Sequence, residues 1–154
     1  MLSAEEKKEI EEATHMLPVR KAACIEALKV VQSHRRWISD ESLRDVADYM
    51  EMSPEELDSV ATFYNLLFRK PVGRHIILVC DSISCWVMGY NNLRTALCDR
   101  LGIQFGETTP DDRFTILPNC CLGTCDHAPA MMIDNDLYQD VKLEELDSIL
   151  KKYE

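Results

Sequence analysis

The chain has 154 residues, with 17 Lys or Arg against 27 Asp or Glu, and a formal net charge of −10 at pH 7. This length suits one ordinary domain or two very small ones. A composition of 46% hydrophobic and 29% charged residues allows a buried core and argues against wholesale disorder. The acidic balance excludes a typical nucleic-acid binder, because neutralising phosphates requires clustered Lys and Arg.

Neither a membrane span nor a targeting segment is apparent in the sequence. The longest unbroken apolar run covers only residues 76–80, which is far too short to cross a bilayer. The first residues are acidic and helix-prone, unlike a secretory signal or an Arg-rich transit peptide. We therefore expect a cytoplasmic protein without direct membrane insertion.

Residues 1–71 show the patterns of four short amphipathic helices. Ser3 followed by Glu6 fits a capping box, and Pro18 is expected to end this first helix. The second helix, from about Pro18 to His34, has apolar residues at every third position, namely Ala22, Ile25, Leu28 and Val31. Four such helices with short connections predict a small helical bundle.

The third and fourth helices of this bundle begin at serine caps. Ser39 caps the third, and Ser53 with Pro54 opens the fourth. The residues expected on the buried face of the third helix are Leu43, Val46, Ala47 and Met50. Those expected on the buried face of the fourth are Leu57, Val60, Ala61, Tyr64 and Leu67.

Residues 72–154 follow a different pattern, in which strands and helices alternate. The predicted elements are, in order, a strand over 75–80, a helix over 91–101, a strand over 113–117, a hairpin of strands over 130–133 and 137–138, and a helix over 143–153. Pro118 is expected to break the second strand. This order resembles a thioredoxin-like sheet, so we predict an α/β fold with an N-terminal helical bundle followed by a thioredoxin-like domain.

The seven cysteines carry the most specific information. A cytoplasmic chain keeps its thiols reduced, so their number indicates metal binding or redox chemistry instead of a disulfide framework. Four of them form two spaced pairs, Cys80-x4-Cys85 and Cys121-x3-Cys125. Cys80 ends the first predicted strand and Cys121 follows the second by a few residues. One helix between them supplies the crossover that joins parallel strands. Both pairs should therefore meet at one edge of the sheet.

Four thiolates suit either zinc or an iron–sulfur cluster. Structural zinc favours tighter C-x2-C pairs, whereas wider spacings such as C-x4-C occur at [2Fe–2S] clusters, so the spacing favours the cluster and leaves zinc open. Small residues in both loops, Ser82, Ser84, Gly123 and Thr124, allow backbone N–H groups to approach sulfur. We expect shielding from water by the apolar residues Ile83, Trp86, Val87 and Leu122.

Two motifs, residues 79–85 (VCDSISC) and 117–126 (LPNCCLGTCD), resemble the E-type [2Fe–2S] subunit of respiratory complex I, the NADH:quinone oxidoreductase. The resemblance extends to residues 60–64 and 71–75 and to the helical preface. It implies one [2Fe–2S] cluster with Cys80, Cys85, Cys121 and Cys125 as ligands. Cys120 is then a neighbour, because only Cys121 gives the x3 spacing of the family.

The resemblance also implies partners and a place in the cell. The chain would bind the flavin- and NADH-binding subunit, which holds the FMN and NADH, and would join other peripheral-arm subunits at the cytoplasmic face of the inner membrane. Its cluster would be a one-electron acceptor beside the flavin. No G-x-G-x-x-G dinucleotide fingerprint occurs in the sequence, so the chain alone should not oxidise NADH.

Three alternatives stay open. Similar subunits serve NAD-linked hydrogenases and formate dehydrogenases, and the cysteine motif does not separate these complexes. A thiol–disulfide oxidoreductase would carry C-x-x-C where this chain has C-x4-C. A structural zinc module that docks subunits is the third. Outside the four cysteines, we expect inert thiols at Cys24, Cys98 and Cys120 and ordinary histidines at His15, His34 and His75. His127, two residues beyond Cys125, is expected beside the site or on the surface, because four thiols suffice as ligands.

Overall fold

A computed structural model of the chain describes residues 1–15, 17 and 19–153. Pro18, expected to end the first helix, lies outside the described residues. The chain divides into two compact units, Met1–Pro71 and Val72–Glu154. Among the described residues no helix combines the length and the apolar composition that crossing a membrane requires.

The first unit is a bundle of helices that begin at the predicted caps. Its helices are α1 (Ala4–Thr14), α2 (Cys24–Arg35), α3 (Asp40–Met50) and α4 (Pro54–Phe63), and a 3-10 turn, Arg20–Ala23, precedes α2. Ser3 and Glu6 form the capping box. Ser39 and Ser53 each accept the backbone N–H three residues ahead. These local start signals are confirmed, and the apolar faces of the four helices pack into one core.

Two details of this bundle differ from the sequence prediction. Ala22 is exposed, because the chain enters α2 through a tighter 3-10 turn that shifts the periodicity. The fourth helix ends at Phe63, so Tyr64 is exposed, whereas Leu67 is buried from a non-helical segment. The side chain of Gln32 holds this segment, accepting the backbone N–H of Phe68 at 2.7 Å.

A buried carboxylate ties α1 to α2. Glu6 is only 2% exposed, and its two oxygens accept from the guanidinium of Arg35 at 2.6 and 2.8 Å. Arg35 also donates to the hydroxyl of Ser42 in α3 at 2.9 Å. The Arg35 guanidinium lowers the pKa of Glu6 from 4.5 to about 2.

Replacing Glu6 with Gln should lower the free energy of unfolding of the helical unit by about 2 kcal/mol at neutral pH, because Arg35 loses a charged partner. Because the pKa of Glu6 is lower in the folded state, its ionised carboxylate stabilises the fold fully above pH 4.5. This contribution is lost as the pH falls towards 2 and the carboxylate becomes protonated. The difference between wild type and Glu6→Gln should therefore shrink over that range. Denaturant unfolding followed by circular dichroism measures this, with the exposed Glu5→Gln as control; a difference that persists unchanged at pH 2 would contradict the assignment.

The second unit is a four-stranded mixed sheet with helices. Its elements are β1 (His75–Cys80), α5 (Ile83–Met88), α6 (Tyr90–Leu101), β2 (Phe114–Asn119), β3 (Met131–Ile133), β4 (Asp136–Tyr138) and α7 (Leu146–Leu150). The strand order is β2-β1-β3-β4, with β1 and β2 parallel and the other two pairings antiparallel. The predicted parallel crossover and C-terminal hairpin are confirmed, and with them the α/β fold.

Three elements of this unit depart from the prediction. The helix α5 was missed, since six residues between two loops leave little periodicity to detect. Pro118 does not break β2 but lies within it, which is possible because β2 is an edge strand whose outer side needs no backbone donor. The C-terminal helix is shorter than expected, because Leu143–Glu145 form a 3-10 turn before α7.

Gly73 fixes how β1 begins against β2. A Cβ at this position would lie 2.9 Å from the carbonyl oxygen of Arg113, which is closer than side chains tolerate. Its backbone N–H donates to the hydroxyl of Thr115 at 2.7 Å. This close approach keeps β1 and β2 in the register that pairs Cys80 with Asn119.

Candidate metal centre

The first cysteine pair lies in the interior of the second unit. Cys80 is the last residue of β1 and Cys85 lies in α5, and they are 3% and 1% exposed. The backbone N–H of Cys80 donates to the carbonyl of Ala130 at 3.1 Å. Both cysteines pack with Ala128 and Ala130, while Leu122 and Tyr90 cover this small cluster in part. The positions of Cys80 and Cys85 are therefore held by packing in the interior.

The second pair lies on a loop beyond the end of β2 and is exposed. The sulfur atoms of Cys121 and Cys125 are 3.7 Å apart. The backbone N–H of Gly123 donates to the sulfur of Cys121 at 3.3 Å. Gly123 has a φ of +79°, a conformation that favours glycine and lets its amide face the sulfur.

The thiols of the two pairs interact with one another. Burial, and then the neighbouring Cys80, raises the pKa of Cys85 to about 11. The Gly123 N–H, and then the thiol of Cys125, lowers the pKa of Cys121, which also interacts with Cys80. The hydrogen bond to Cys121 raises the pKa of Cys125. The structure thus brings all four predicted cysteines to one edge of the sheet.

The donor set fits a cluster better than a single ion. No group of three or more His, Cys, Asp or Glu side chains within the described part of the chain could hold a metal ion as it stands. The four cysteines come as two pairs along the chain, and a [2Fe–2S] cluster takes two thiolates on each iron. Residues 80–93 and 118–130 contain no Lys or Arg, so these segments supply no cationic side chain of that kind beside the thiols.

The apolar residues expected to shield the site behave differently from the prediction. Ile83, Trp86 and Val87 are exposed on the outer face of α5, together with Met88. This exposure follows from the short helix, which turns Cys85 inward and leaves the remaining apolar positions facing outward. Leu122, the fourth residue expected to shield the site, is partly buried and packs against the first cysteine pair.

The other cysteines and histidines lie outside the group of four thiols. Cys24 and Cys98 lie in helices, and burial raises the pKa of each. Cys120 is exposed. His127 is exposed and bonds through Nδ1 to Asp140 at 2.8 Å, which raises its pKa.

Residues after β4 also reach the second cysteine loop, and no sequence pattern singled them out. The side chain amide of Gln139 donates to the hydroxyl of Thr124, which is the residue before Cys125. The Ala128–Pro129 peptide bond is cis. Finding these contacts required the tertiary structure, because Gln139 lies 15 residues from Thr124.

Residues 10–154 match the family described as thioredoxin-like [2Fe–2S] ferredoxin. The chain is 45% identical over 152 residues to the E-type subunit of the NADH-quinone oxidoreductase of Escherichia coli (strain K12), covering 99% of this chain and 92% of that protein. The corresponding E-type subunit of Buchnera aphidicola subsp. Acyrthosiphon pisum is 48% identical over 133 residues, covering 86% of this chain and 82% of that protein.

Among solved structures, an NAD⁺-reducing [NiFe]-hydrogenase in the H₂-reduced state is similar, with a TM-score of 0.70 and 25% sequence identity. The similarity covers 82% of this chain but 22% of that hydrogenase chain, so the present protein spans about a fifth of it. The family match includes the helices of the first unit from residue 10 onwards as well as the cysteine-bearing sheet. The resemblance inferred from the two cysteine motifs is confirmed, and the chain belongs to the thioredoxin-like [2Fe–2S] ferredoxin family.

Proposed function

We propose that this chain is an electron-transfer subunit of an NADH:quinone oxidoreductase and holds one [2Fe–2S] cluster through Cys80, Cys85, Cys121 and Cys125. The observation that carries the proposal is the meeting of two cysteine pairs at one sheet edge, in a chain 45% identical to an E-type subunit over nearly its whole length. The two compact units are then two domains. Residues 72–154 hold the cluster, and residues 1–71 form the helical domain.

The bound cluster supplies a one-electron acceptor and donor. The chain contributes its sulfur ligands, an amide donor from Gly123 to Cys121, and burial on the side of Cys80 and Cys85. Backbone N–H donors to sulfur, burial and net charge together set the reduction potential. No bond to a substrate forms on this chain, so it works as part of an oxidoreductase and not as an enzyme alone.

The partner in this proposal is the flavin- and NADH-binding subunit, which supplies the FMN. An exposed apolar surface beside the site supports such a contact: Ile83, Trp86, Val87 and Met88 on α5, here called the α5 patch. Ile83, Trp86 and Val87 are spaced to share one helix face, and Cys85 of the same helix faces the interior. A partner seated there would bring its flavin close to the cluster, as electron transfer requires.

The charge around the α5 patch indicates the kind of surface that fits it. Asp81 and Asp126 are exposed on the two cysteine loops, and neither loop carries Lys or Arg. An apolar centre with an acidic rim is typical of a surface whose partner has an apolar centre and a basic rim. We place the assembled complex, with the other peripheral-arm subunits, at the cytoplasmic face of the inner membrane.

Purified protein, kept free of oxygen, should contain about two irons and two acid-labile sulfides per chain and should be brown. Elemental analysis and the visible spectrum measure this. The control is the variant that replaces all four cysteines with Ser, which should bind neither. Colourless protein with about one zinc per chain would contradict the proposal and favour the structural zinc module.

The second candidate is the equivalent subunit of an NAD-linked hydrogenase. The solved hydrogenase with a TM-score of 0.70 supports it, although its identity of 25% is well below the 45% to the E-type subunit of the quinone oxidoreductase. Affinity purification of the tagged chain from its own cells separates the two. Recovery with quinone-oxidoreductase subunits supports the first, and recovery with hydrogenase subunits supports the second.

A further inference from the structure

The segment that follows β4 is bonded to the loop that carries Cys125. The backbone N–H of Asp140 donates to the carbonyl of His127 at 2.9 Å, and that of Val141 donates to the carbonyl of Pro129 at 3.0 Å. The carboxylate of Asp140 also contacts Nδ1 of His127 at 2.8 Å. The second cysteine loop is therefore fastened on its C-terminal side by residues that are distant in sequence.

A further contact between this segment and the loop is made at Thr124, the residue directly before Cys125. Thr124 is only 6% exposed, although Gly123 and Cys125 on either side are exposed. The buried hydroxyl oxygen accepts a hydrogen bond from Nε2 of Gln139. Because leaving a buried polar group without a partner is unfavourable, the Gln139 amide fixes the loop at this residue.

The two cysteine pairs are held by different means. Cys80 and Cys85 are fixed by burial, whereas Cys121 and Cys125 are exposed. The amide that donates to the Cys121 sulfur belongs to Gly123, the residue directly before Thr124. The orientation of this amide therefore depends on how the backbone is held at Thr124.

We propose that Gln139 is a positioning residue for the cluster, acting through Thr124 to hold Cys125 in place and to orient the Gly123 N–H towards the Cys121 sulfur. The inference rests on the proposed [2Fe–2S] function and concerns a residue outside both cysteine motifs. A hydrogen bond to sulfur favours the more negative, reduced state of a cluster. Loss of the orientation should lower the reduction potential and weaken the hold on iron.

The test compares Gln139→Leu, Thr124→Val and the double variant in the full chain. Each single variant should release iron to a chelator about tenfold faster than wild type, the usual scale for losing a partner that orients a metal ligand. Each should also have a lower reduction potential in an electron paramagnetic resonance titration. The double variant should be no worse than the single variants, because all three remove the same bond.

Two controls isolate the hydrogen bond. Thr124→Ser keeps the accepting hydroxyl and should behave as wild type. Gln104→Leu removes another exposed glutamine from the same unit and should leave both readouts unchanged. A role confined to stability would lower the unfolding midpoint of the cluster-free chain without moving the potential of the loaded protein.

The inference would be overturned if Gln139→Leu released iron at the wild-type rate and kept the wild-type reduction potential. It would also be overturned if the increases in iron release caused by Gln139→Leu and Thr124→Val multiplied in the double variant. An effect on stability alone would also overturn it. The iron and sulfide content of the wild type is measured first. A wild type without a [2Fe–2S] cluster would refute the proposed function itself, and this failure is distinct from that of Gln139.

Discussion

Replacing Cys121 with Ser is expected to abolish stable binding of the [2Fe–2S] cluster, whereas replacing Cys120 with Ser should largely preserve it. The sulfur of Cys121 lies 3.7 Å from that of Cys125 and accepts the Gly123 N–H at 3.3 Å. The Gly123 amide thus stabilises the thiolate form that binds metal. A serine hydroxyl stays protonated at neutral pH and is a harder ligand than iron–sulfur clusters prefer.

Iron content, sulfide content and the spectrum of the reduced protein measure this difference. Cys120→Ser is a matched control, because Cys120 and Cys121 are adjacent and both exposed. A Cys120→Ser protein without a cluster, together with a loaded Cys121→Ser protein, would show that the ligand assignment is wrong. Loss of the cluster in both variants would mean that the loop tolerates no change at either position.

Replacing Trp86 with Asp should weaken association with the flavin- and NADH-binding subunit about 100-fold. Trp is among the residues that contribute most at protein interfaces, and a carboxylate placed in an apolar contact must lose its hydration. Trp86 is 56% exposed on the outer face of α5, so the change should not disturb the core. Cluster content and unfolding of the isolated chain should therefore stay unchanged.

Leu66→Asp in the first unit supplies the matched control. Leu66 is 52% exposed, which is close to the value for Trp86, but it lies outside the α5 patch. Co-purification of tagged variants and titration with the isolated partner subunit measure the affinity. Equal loss of binding in both variants would indicate a general effect of surface charge, and undiminished binding of Trp86→Asp would remove the α5 patch from the interface.

The sequence predicted most elements of this fold because their signals are local. The serine caps at Ser3, Ser39 and Ser53 each bond to a backbone amide three residues ahead, so chain spacing alone reveals them. The strand over residues 75–80 was predicted correctly because its residues form a nearly continuous apolar run. The missed helix α5 and the misjudged Pro118 depend on neighbours in space: inward packing of Cys85 and the edge position of β2.

The sequence by itself determined the cysteine pairs, the crossover that brings them to one sheet edge and the family to which the chain belongs, because spacing and strand order are properties of the chain alone. The tertiary structure decided which pair is buried and which is exposed. It also turned Ile83, Trp86 and Val87 outward and joined Gln139 to Thr124. Exposure and contacts between distant residues arise only when separate elements pack, and no local pattern encodes them.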